Sequence, residues 1–175
     1  HTLTMSLNQV VACTPKEKSS SNVVVNNDPP IIFHSTTPAV LLQLSGPMVK
    51  AATGQVNLDF VVNANFPLFL DTSSTNFFLY DGLEWQTAPA INGPWTFTSV
   101  VPSSIVKLSS EAAWENIKGS IPAKSKPHAK IPEIFYSDKI AELLLFEGNP
   151  TYSAVNGTAL KFATNTDSDL FFCST

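Results

Sequence analysis

The chain contains no arginine, and all ten of its basic residues are lysine. Nucleic-acid-binding proteins use arginine for bidentate contacts to phosphate and guanine. A formal net charge of −4 also opposes binding to a polyanion. We therefore expect no nucleic-acid partner. Charged residues make up only 14% of the chain, about half the share of an average globular protein.

Long apolar runs are also missing. No stretch approaches the roughly 18 consecutive apolar residues of a membrane-spanning helix, so we expect no transmembrane segment. The first residues, His1–Thr4, lack the charged and apolar blocks of a signal peptide, and we interpret the chain as processed or trimmed. Serine and threonine together account for 35 residues, which is typical of exported β proteins. We expect an extracytoplasmic location, either secreted, periplasmic or at the cell surface.

What the chain does contain is an internal repeat. Residues 32–73 align with residues 134–175 at a constant offset of 102 without a gap, and 13 of the 42 aligned positions are identical. Most identical positions are apolar or turn residues, such as Phe33 with Phe135 and Gly46 with Gly148. A repeat that preserves core-forming positions predicts two related structural units. The second copy lacks the residues that follow Ser73 in the first, so we expect its sheet to be incomplete.

The apolar pattern predicts an all-β, mainly antiparallel fold with one or two short helices between the two β units. In the first unit, residues 58–62 are predicted as a strand that places Leu58, Phe60 and Val62 on one face. Asp81-Gly82 separates two apolar segments, which predicts a hairpin with a type I′ turn. A further reversal at residues 90–94 leads into the strand 95–98, which completes a three-stranded meander.

Four segments follow from these signals. Residues 1–29 are predicted as an N-terminal strand and a linker, and residues 30–101 as the first β unit with its hairpin meander. Residues 102–130 are predicted as short helices followed by a basic connector, because serines near 103 and 109 can cap helix starts and Gly119 can end a helix. Residues 131–175 form the second, incomplete β unit.

Catalytic residue sets are scarce. The sequence has no HxH, HExxH, CxxC or GxSxG arrangement. His34 aligns with Tyr136 in the repeat, which favours a structural role for this histidine. The acidic residues are scattered over predicted turns and edges, whereas a glycosidase needs two carboxylates beside one cleft. We therefore expect no enzymatic activity and no cofactor.

One segment has the residue spacing of a calcium loop. Asn165, Asp167 and Asp169 occupy alternate positions, as calcium ligands do. The aligned residues in the first copy carry no carboxylate, and no glutamate follows at the EF-hand distance. Asn and Asp side chains that bond nearby backbone explain the pattern equally well, so we expect no bound metal and keep these three residues as the calcium candidate.

Aromatic residues are the candidates for ligand binding. Tyr80, Trp85 and Trp95 lie on the predicted meander, where a flat row of rings could stack on sugar faces. The alternative is that these rings form the core or cross-strand pairs of a small antiparallel sheet.

The two cysteines, Cys13 and Cys173, are a disulfide candidate. Residues 2–13 alternate as a strand that ends at Cys13, and Cys173 ends the last apolar segment. We hypothesise that residues 3–13 lie beside residues 170–173 and cover an apolar edge that would otherwise stay open. Two unrelated thiols are the alternative.

Four segments resemble a family of bacterial envelope repeat proteins, some of which are labelled carbohydrate-binding family V/XII. They are residues 32–73, the segment 78–85, Asn92-Gly93-Pro94-Trp95 and the run 165–172. The resemblance covers residues 30–175 and implies a repeated β architecture, but no established activity or ligand. The chain departs from the family in lacking a second tyrosine-rich hairpin and in having Cys173 where an acidic residue is usual.

These observations favour a non-catalytic extracytoplasmic structural or assembly module. Its partner would be another protein or a second copy, bound by strand addition to the incomplete unit. The alternative is a carbohydrate-binding module that uses Tyr80, Trp85 and Trp95 to bind a glycan.

Overall fold

The computed structural model describes residues 28–127 and 130–173, and over these residues the fold is all-β, as predicted. Its strands are β1 Ile31–Ser35, β2 Ala39–Gln43, β3 Lys50–Ala52, β4 Leu58–Val61, β5 Leu68–Asp71, β6 Asn76–Tyr80, β7 Trp85–Ala88, β8 Thr96–Phe97, β9 Glu133–Ser137, β10 Ala141–Leu145, β11 Tyr152–Ala154, β12 Leu160–Ala163 and β13 Phe171–Cys173. Two short helices, α1 Ser103–Leu108 and α2 Glu115–Lys118, stand between β8 and β9 with the 3₁₀ turn Ala112–Trp114.

Six strands form the main sheet, in the order β3-β4-β5-β6-β7-β8 and antiparallel throughout. β4 ends at Val61, one residue before the predicted end of the strand, and Val62 lies beyond it and is exposed. Leu58 and Phe60 share one face, and Val61 is buried on the other. Apolar residues therefore lie on both faces of β4, as in a strand that is covered on both sides.

Each face of this sheet packs against a different layer. One face contacts the helices through a cluster formed by Leu58, Phe69, Phe78, Trp85, Ile105, Leu108 and Ile117. The other face contacts β2 and β9 through Val61, Leu68, Phe77, Leu79, Leu42 and Leu44, with Ile134 and Tyr136 at the margin. The main sheet therefore lies in the middle of a three-layer arrangement.

The predicted helices lie where expected, but serine does not cap their N-termini. The N-cap of α1 is Pro102, and no side-chain cap is present there. Ser109 and Ser110 instead donate their hydroxyls to the carbonyls of Val106 and Lys107, both at 2.7 Å. The last carbonyl groups of a helix have no partner within the helix, and these serines bond two of them at the end of α1. Gly119 ends α2, as expected.

The two copies exchange strands by parallel pairing. β1 pairs with β10, and β2 pairs with β9. The registers are related by the offset of 102, because Phe33 lies opposite Leu143 and Phe135 lies opposite Leu41. The flanking hydrogen bonds repeat this relation. The N–H of Leu44 donates to the Ser137 carbonyl at 2.9 Å, and the N–H of Phe146 donates to the Ser35 carbonyl at 3.0 Å. The junction therefore has pseudo-two-fold symmetry.

The last three strands form a separate antiparallel sheet in the order β11-β12-β13. Their registers match those of β3, β4 and β5 at the same offset. Leu58 lies opposite Asp71 and Leu160 lies opposite Cys173. In the same way, Lys50 lies opposite Val61 and Tyr152 lies opposite Ala163. Corresponding strands are thus paired alike in the two copies.

The Asp81-Gly82 hairpin forms, but its turn is not type I′. That turn needs positive φ at both central residues, and of these two residues only Gly82 has it, at 96°. Tyr80 pairs with Trp85, so the connection spans residues 81–84. The Asp81 carboxylate accepts the N–H groups of Leu83 and Glu84, both at 2.8 Å. This side-chain clasp sets the turn in place of a second positive φ.

The strand predicted for residues 2–13 and most of the predicted linker lie outside the described residues.

Candidate protein-interaction surface

Three large apolar side chains stand uncovered on one face of the β11–β13 sheet. Leu160 and Phe162 lie on β12, and Phe171 lies on β13 directly opposite Phe162. All three are exposed. We call Leu160, Phe162 and Phe171 the open face. An exposed contiguous apolar patch on a sheet is a typical feature of an interaction site.

The first copy shows how the same positions are covered when the sheet is complete. Phe69, the counterpart of Phe171, is 0% exposed, whereas Phe171 is 58% exposed. Leu58 is 2% exposed, whereas its counterpart Leu160 is 37% exposed. Burial in the first copy comes from Ile105, Leu108 and Ile117 of the helices, and from Phe78 and Trp85 of the adjoining strands. Within the described residues, the second copy preserves the apolar side chains but has no corresponding helices or strands against them.

The edge of β13 is open as well. β5 pairs with β4 on one side and β6 on the other. Within the described residues its counterpart β13 pairs with β12 alone. An antiparallel strand directs alternate N–H and C=O groups to each side, so the unpaired side of β13 presents donors and acceptors. We call this side of Phe171–Cys173 the open edge.

The reverse face carries a second aromatic contact. Tyr152 and Phe172 have ring centroids 6.0 Å apart at an interplanar angle of 45°, and both are exposed. Phe172 corresponds to Leu70, which packs against the buried cluster beneath β2 and β9 in the first copy. Apolar side chains therefore project on both sides of β13. A strand with this composition is normally covered on both faces.

A shallow cavity of about 360 Å³ adjoins the open face. Phe162, Leu170, Phe171 and Val155 supply its apolar lining, and the loop 166–169 supplies its polar rim. Apolar walls with a polar rim are typical of the centre of a protein interface. The cavity adjoins the open face at the start of β13, where Phe171 lines it.

β5 ends in a carboxylate, that of Asp71, which β13 lacks. Asp71 accepts hydrogen bonds from the Ser73 N–H at 2.9 Å, the Ser73 hydroxyl at 2.6 Å and the Ser74 hydroxyl at 2.9 Å. Burial alone raises the pKa of Asp71, but the bonds from Ser73 and Ser74 together outweigh it and hold the pKa below its usual value. Cys173 occupies the corresponding position, and a thiol is a much weaker acceptor than a carboxylate.

The predicted flat row of aromatic rings is not formed. Trp85 is 1% exposed, and its Nε1 donates to the carbonyl and hydroxyl oxygens of Ser120 at 3.2 and 3.1 Å. Tyr80 packs against Trp85 on the helix-covered face, whereas Trp95 packs against the cluster on the other face. These rings belong to two cores separated by the sheet, which matches the structural alternative for such aromatics.

Of the three calcium candidates, Asn165 is bonded to the backbone of its own loop. Oδ1 of Asn165 accepts the Thr151 N–H, and Nδ2 donates to the carbonyls of Glu147 and Asn149, each at 2.9 Å. Asn63 makes the corresponding bonds to Val49 and Pro47. Asp167 and Asp169 are exposed. Over the described residues, no group of three histidine, cysteine, aspartate or glutamate side chains is placed to hold a metal. The asparagine is a loop clasp, which its identity in both copies could have indicated.

Cys173 is an exposed free thiol at the end of β13. Cys13 lies outside the described residues, so the predicted disulfide stays a prediction. The residue stands on the open edge. Its position there makes it a natural chemical probe for any strand that binds β13.

Comparisons of the chain with protein families, with curated proteins and with solved structures found no match in any of the three. Within the described ranges, no helix is long and apolar enough to cross a membrane.

Proposed function

We propose that this protein is a non-catalytic protein-interaction or assembly module, built from a duplicated β unit, that binds a strand of another polypeptide along the open edge of β13. The observation that supports the proposal is the contrast between Phe69 and Phe171. The two residues occupy corresponding positions, because β5 pairs with β4 in the same register as β13 with β12, yet one is fully buried and the other is mostly exposed.

Burial of the open face would supply the driving force. Removing apolar surface from water contributes about 25 cal/mol per Å², and side chains such as Phe171 and Phe162 carry much of that surface here. Main-chain hydrogen bonds along an added strand give further affinity, and alternate side-chain pockets give specificity. Natural proteins normally protect an exposed apolar edge strand against pairing with other chains. An edge without such protection, as β13 has within the described residues, is consistent with a binding surface for a partner.

The low charge and the high serine and threonine content support an extracytoplasmic location for this module.

Selection from a displayed library of twelve-residue peptides tests the function without assuming a partner. We expect enrichment of sequences rich in apolar and β-branched residues, because these form strands. Their binding should fall at least about tenfold in Phe171→Ser, which removes a central contact.

Leu83→Ser is the matched control, because Leu83 is 55% exposed in the hairpin and Phe171 is 58% exposed. Binding should be unchanged in this variant. Failure to enrich any peptide, or equal binding to Phe171→Ser and the unaltered chain, would contradict the proposed function.

Amide hydrogen exchange tests the open edge directly. At low protein concentration, we expect the amides of residues 171–173 to exchange much faster than those of residues 69–71, which lie between two strands. Light scattering on the same samples gives the mass. A clean 18.9 kDa monomer with slowly exchanging amides in β13 would mean that the chain already covers this edge, against an assembly role.

A further inference from the structure

We infer that the strand that completes β13 runs antiparallel to it and carries the residue pattern of β6, in the register by which β6 pairs with β5. The inference rests on the proposed function and names the chemistry of its partner: an apolar strand with large side chains on both faces. The first copy is the template, because it contains the same strands with the neighbour present.

The register follows from the pairing in the first copy. β6 lies antiparallel to β5, with Phe78 opposite Phe69, Phe77 opposite Leu70 and Asn76 opposite Asp71. β5 and β13 correspond at the offset of 102, and their pairing to β4 and β12 is in register at that offset. A β6-like strand would therefore place its Phe78 equivalent opposite Phe171 and its Asn76 equivalent opposite Cys173.

Side-chain chemistry on both faces supports this register. In the first copy, Phe78 shares the helix-covered face with Phe69, and Phe77 shares the opposite face with Leu70. The exposed side chains of β13 have the same distribution, because Phe171 lies on the open face and Phe172 lies on the reverse face with Tyr152. A one-residue slip would exchange the two faces of the incoming strand. The equivalent of Phe78 would then lie on the reverse face, away from Phe171.

Asp71 and Cys173 occupy corresponding positions at the ends of β5 and β13 but differ in what they can bond. In the first copy the Asp71 carboxylate clasps Ser73 and Ser74 in the turn that leads into β6. A thiol at position 173 cannot make this charge-assisted clasp. Within residues 130–173, the second copy therefore lacks the carboxylate that orders the turn after β5, whereas it preserves the apolar residues that β6 covers in the first copy.

The experiment uses a synthetic peptide with the sequence of residues 74–88 and the native Cys173. The peptide carries Asn76→Cys, activated as a mixed disulfide with thionitrobenzoate, and the protein carries Cys13→Ser so that one thiol reacts. The Cys173 thiolate attacks the peptide sulfur and forms the new disulfide, while thionitrobenzoate leaves as the coloured thiolate. Directly opposed residues have Cα atoms about 4.5–5.5 Å apart, within the range of a disulfide.

A control peptide carries Phe78→Cys with Asn76 retained. This change moves the thiol about 7 Å along the strand and, in the inferred register, places it opposite Phe171. Rates are divided by the reaction of Cys173 with a small activated disulfide, which corrects for thiol reactivity. We expect the Asn76→Cys peptide to react at least about tenfold faster than the control, because pairing raises the local thiol concentration.

Two protein variants complete the test. Phe171→Ser should remove most of the rate advantage of the Asn76→Cys peptide, and Leu83→Ser should leave it unchanged. Equal rates for the two peptides, or a faster reaction of the Phe78→Cys peptide, would overturn the inferred register. If library selection yields peptides that need Phe171 while the 74–88 peptide does not react selectively, the proposed function stands and this inference fails. If neither experiment detects strand binding, both fail.

Discussion

The rings of Phe33 and Phe135 meet across the junction of the two copies, with centroids 5.1 Å apart and an interplanar angle of 33°. The two residues occupy the same position in the repeat, 102 residues apart. Phe33 lies on β1, which pairs with the second copy, and Phe135 lies on β9, which pairs with the first. The contact therefore lies at the centre of a reciprocal exchange of strands.

We expect Phe33→Ala and Phe135→Ala to lower the free energy of unfolding by about 1–3 kcal/mol each, less than for a fully buried ring. The double variant should lose less than the sum of the two, with a coupling of about 0.5–1.5 kcal/mol from the ring contact. Urea denaturation of the four proteins measures this coupling. Strictly additive losses would mean that the two rings do not stabilise each other.

Phe69→Ala and Phe171→Ala make a matched pair. Phe69 is fully buried, so its truncation should cost about 3–5 kcal/mol of unfolding free energy. Phe171 is mostly exposed, and its truncation should change the stability of the monomer by less than about 1 kcal/mol. Denaturation at low protein concentration compares them. A large loss for Phe171→Ala would show that something in the monomer buries this ring.

Asn63 and Asn165 are expected to act as loop clasps of similar strength. Each carboxamide accepts one backbone N–H and donates to backbone carbonyls before β3 or β11. Replacement by alanine should lower the free energy of unfolding by about 1–2 kcal/mol at either position. Asn116→Ala, on the exposed surface of α2, is the control and should be nearly neutral. If added calcium raises the free energy of unfolding of the unaltered chain but not that of Asn165→Ala, the residue would instead be a metal ligand.

Alkaline pH should destabilise the fold through tyrosine. Burial, and secondarily the negative charge of Asp81, raises the pKa of Tyr80. Burial, with Asp138 second, raises the pKa of Tyr136 in the same way. The folded state holds these protons more tightly, so the stabilisation is complete below the unfolded pKa of about 10 and is lost as pH rises through the folded pKa.

Urea midpoints measured from about pH 8 to 11, across the tyrosine range, should fall less steeply for the Tyr80→Phe, Tyr136→Phe double variant than for the unaltered chain. Tyr152→Phe is the comparison, because Tyr152 is an exposed residue on β11. An equally steep fall in the double variant would assign the alkaline loss to other groups.

Strands in the first copy could be predicted because their signals are local. Apolar residues around Phe60 and Phe78 and a turn at Gly82 specify extended segments and a reversal whatever surrounds them. The pairing of β1 with β10 could not be predicted, because five-residue strands carry no mark of which distant strand they join. Likewise Trp85 has the same local signals whether it faces solvent or α1 and α2, so its burial depended on the placement of the helices.

The amino-acid sequence alone determined that the chain is built of β strands and that one strand pattern occurs twice. Periodicity and turn residues are signals between neighbouring residues, and the offset of 102 follows from aligning the sequence with itself. Only the tertiary structure decided which copy has a covered face. Phe69 and Phe171 have the same residue type and nearly the same neighbours along the chain. Their burial differs because β6 and the helices lie against one of them, and that contact depends on residues far away in the sequence.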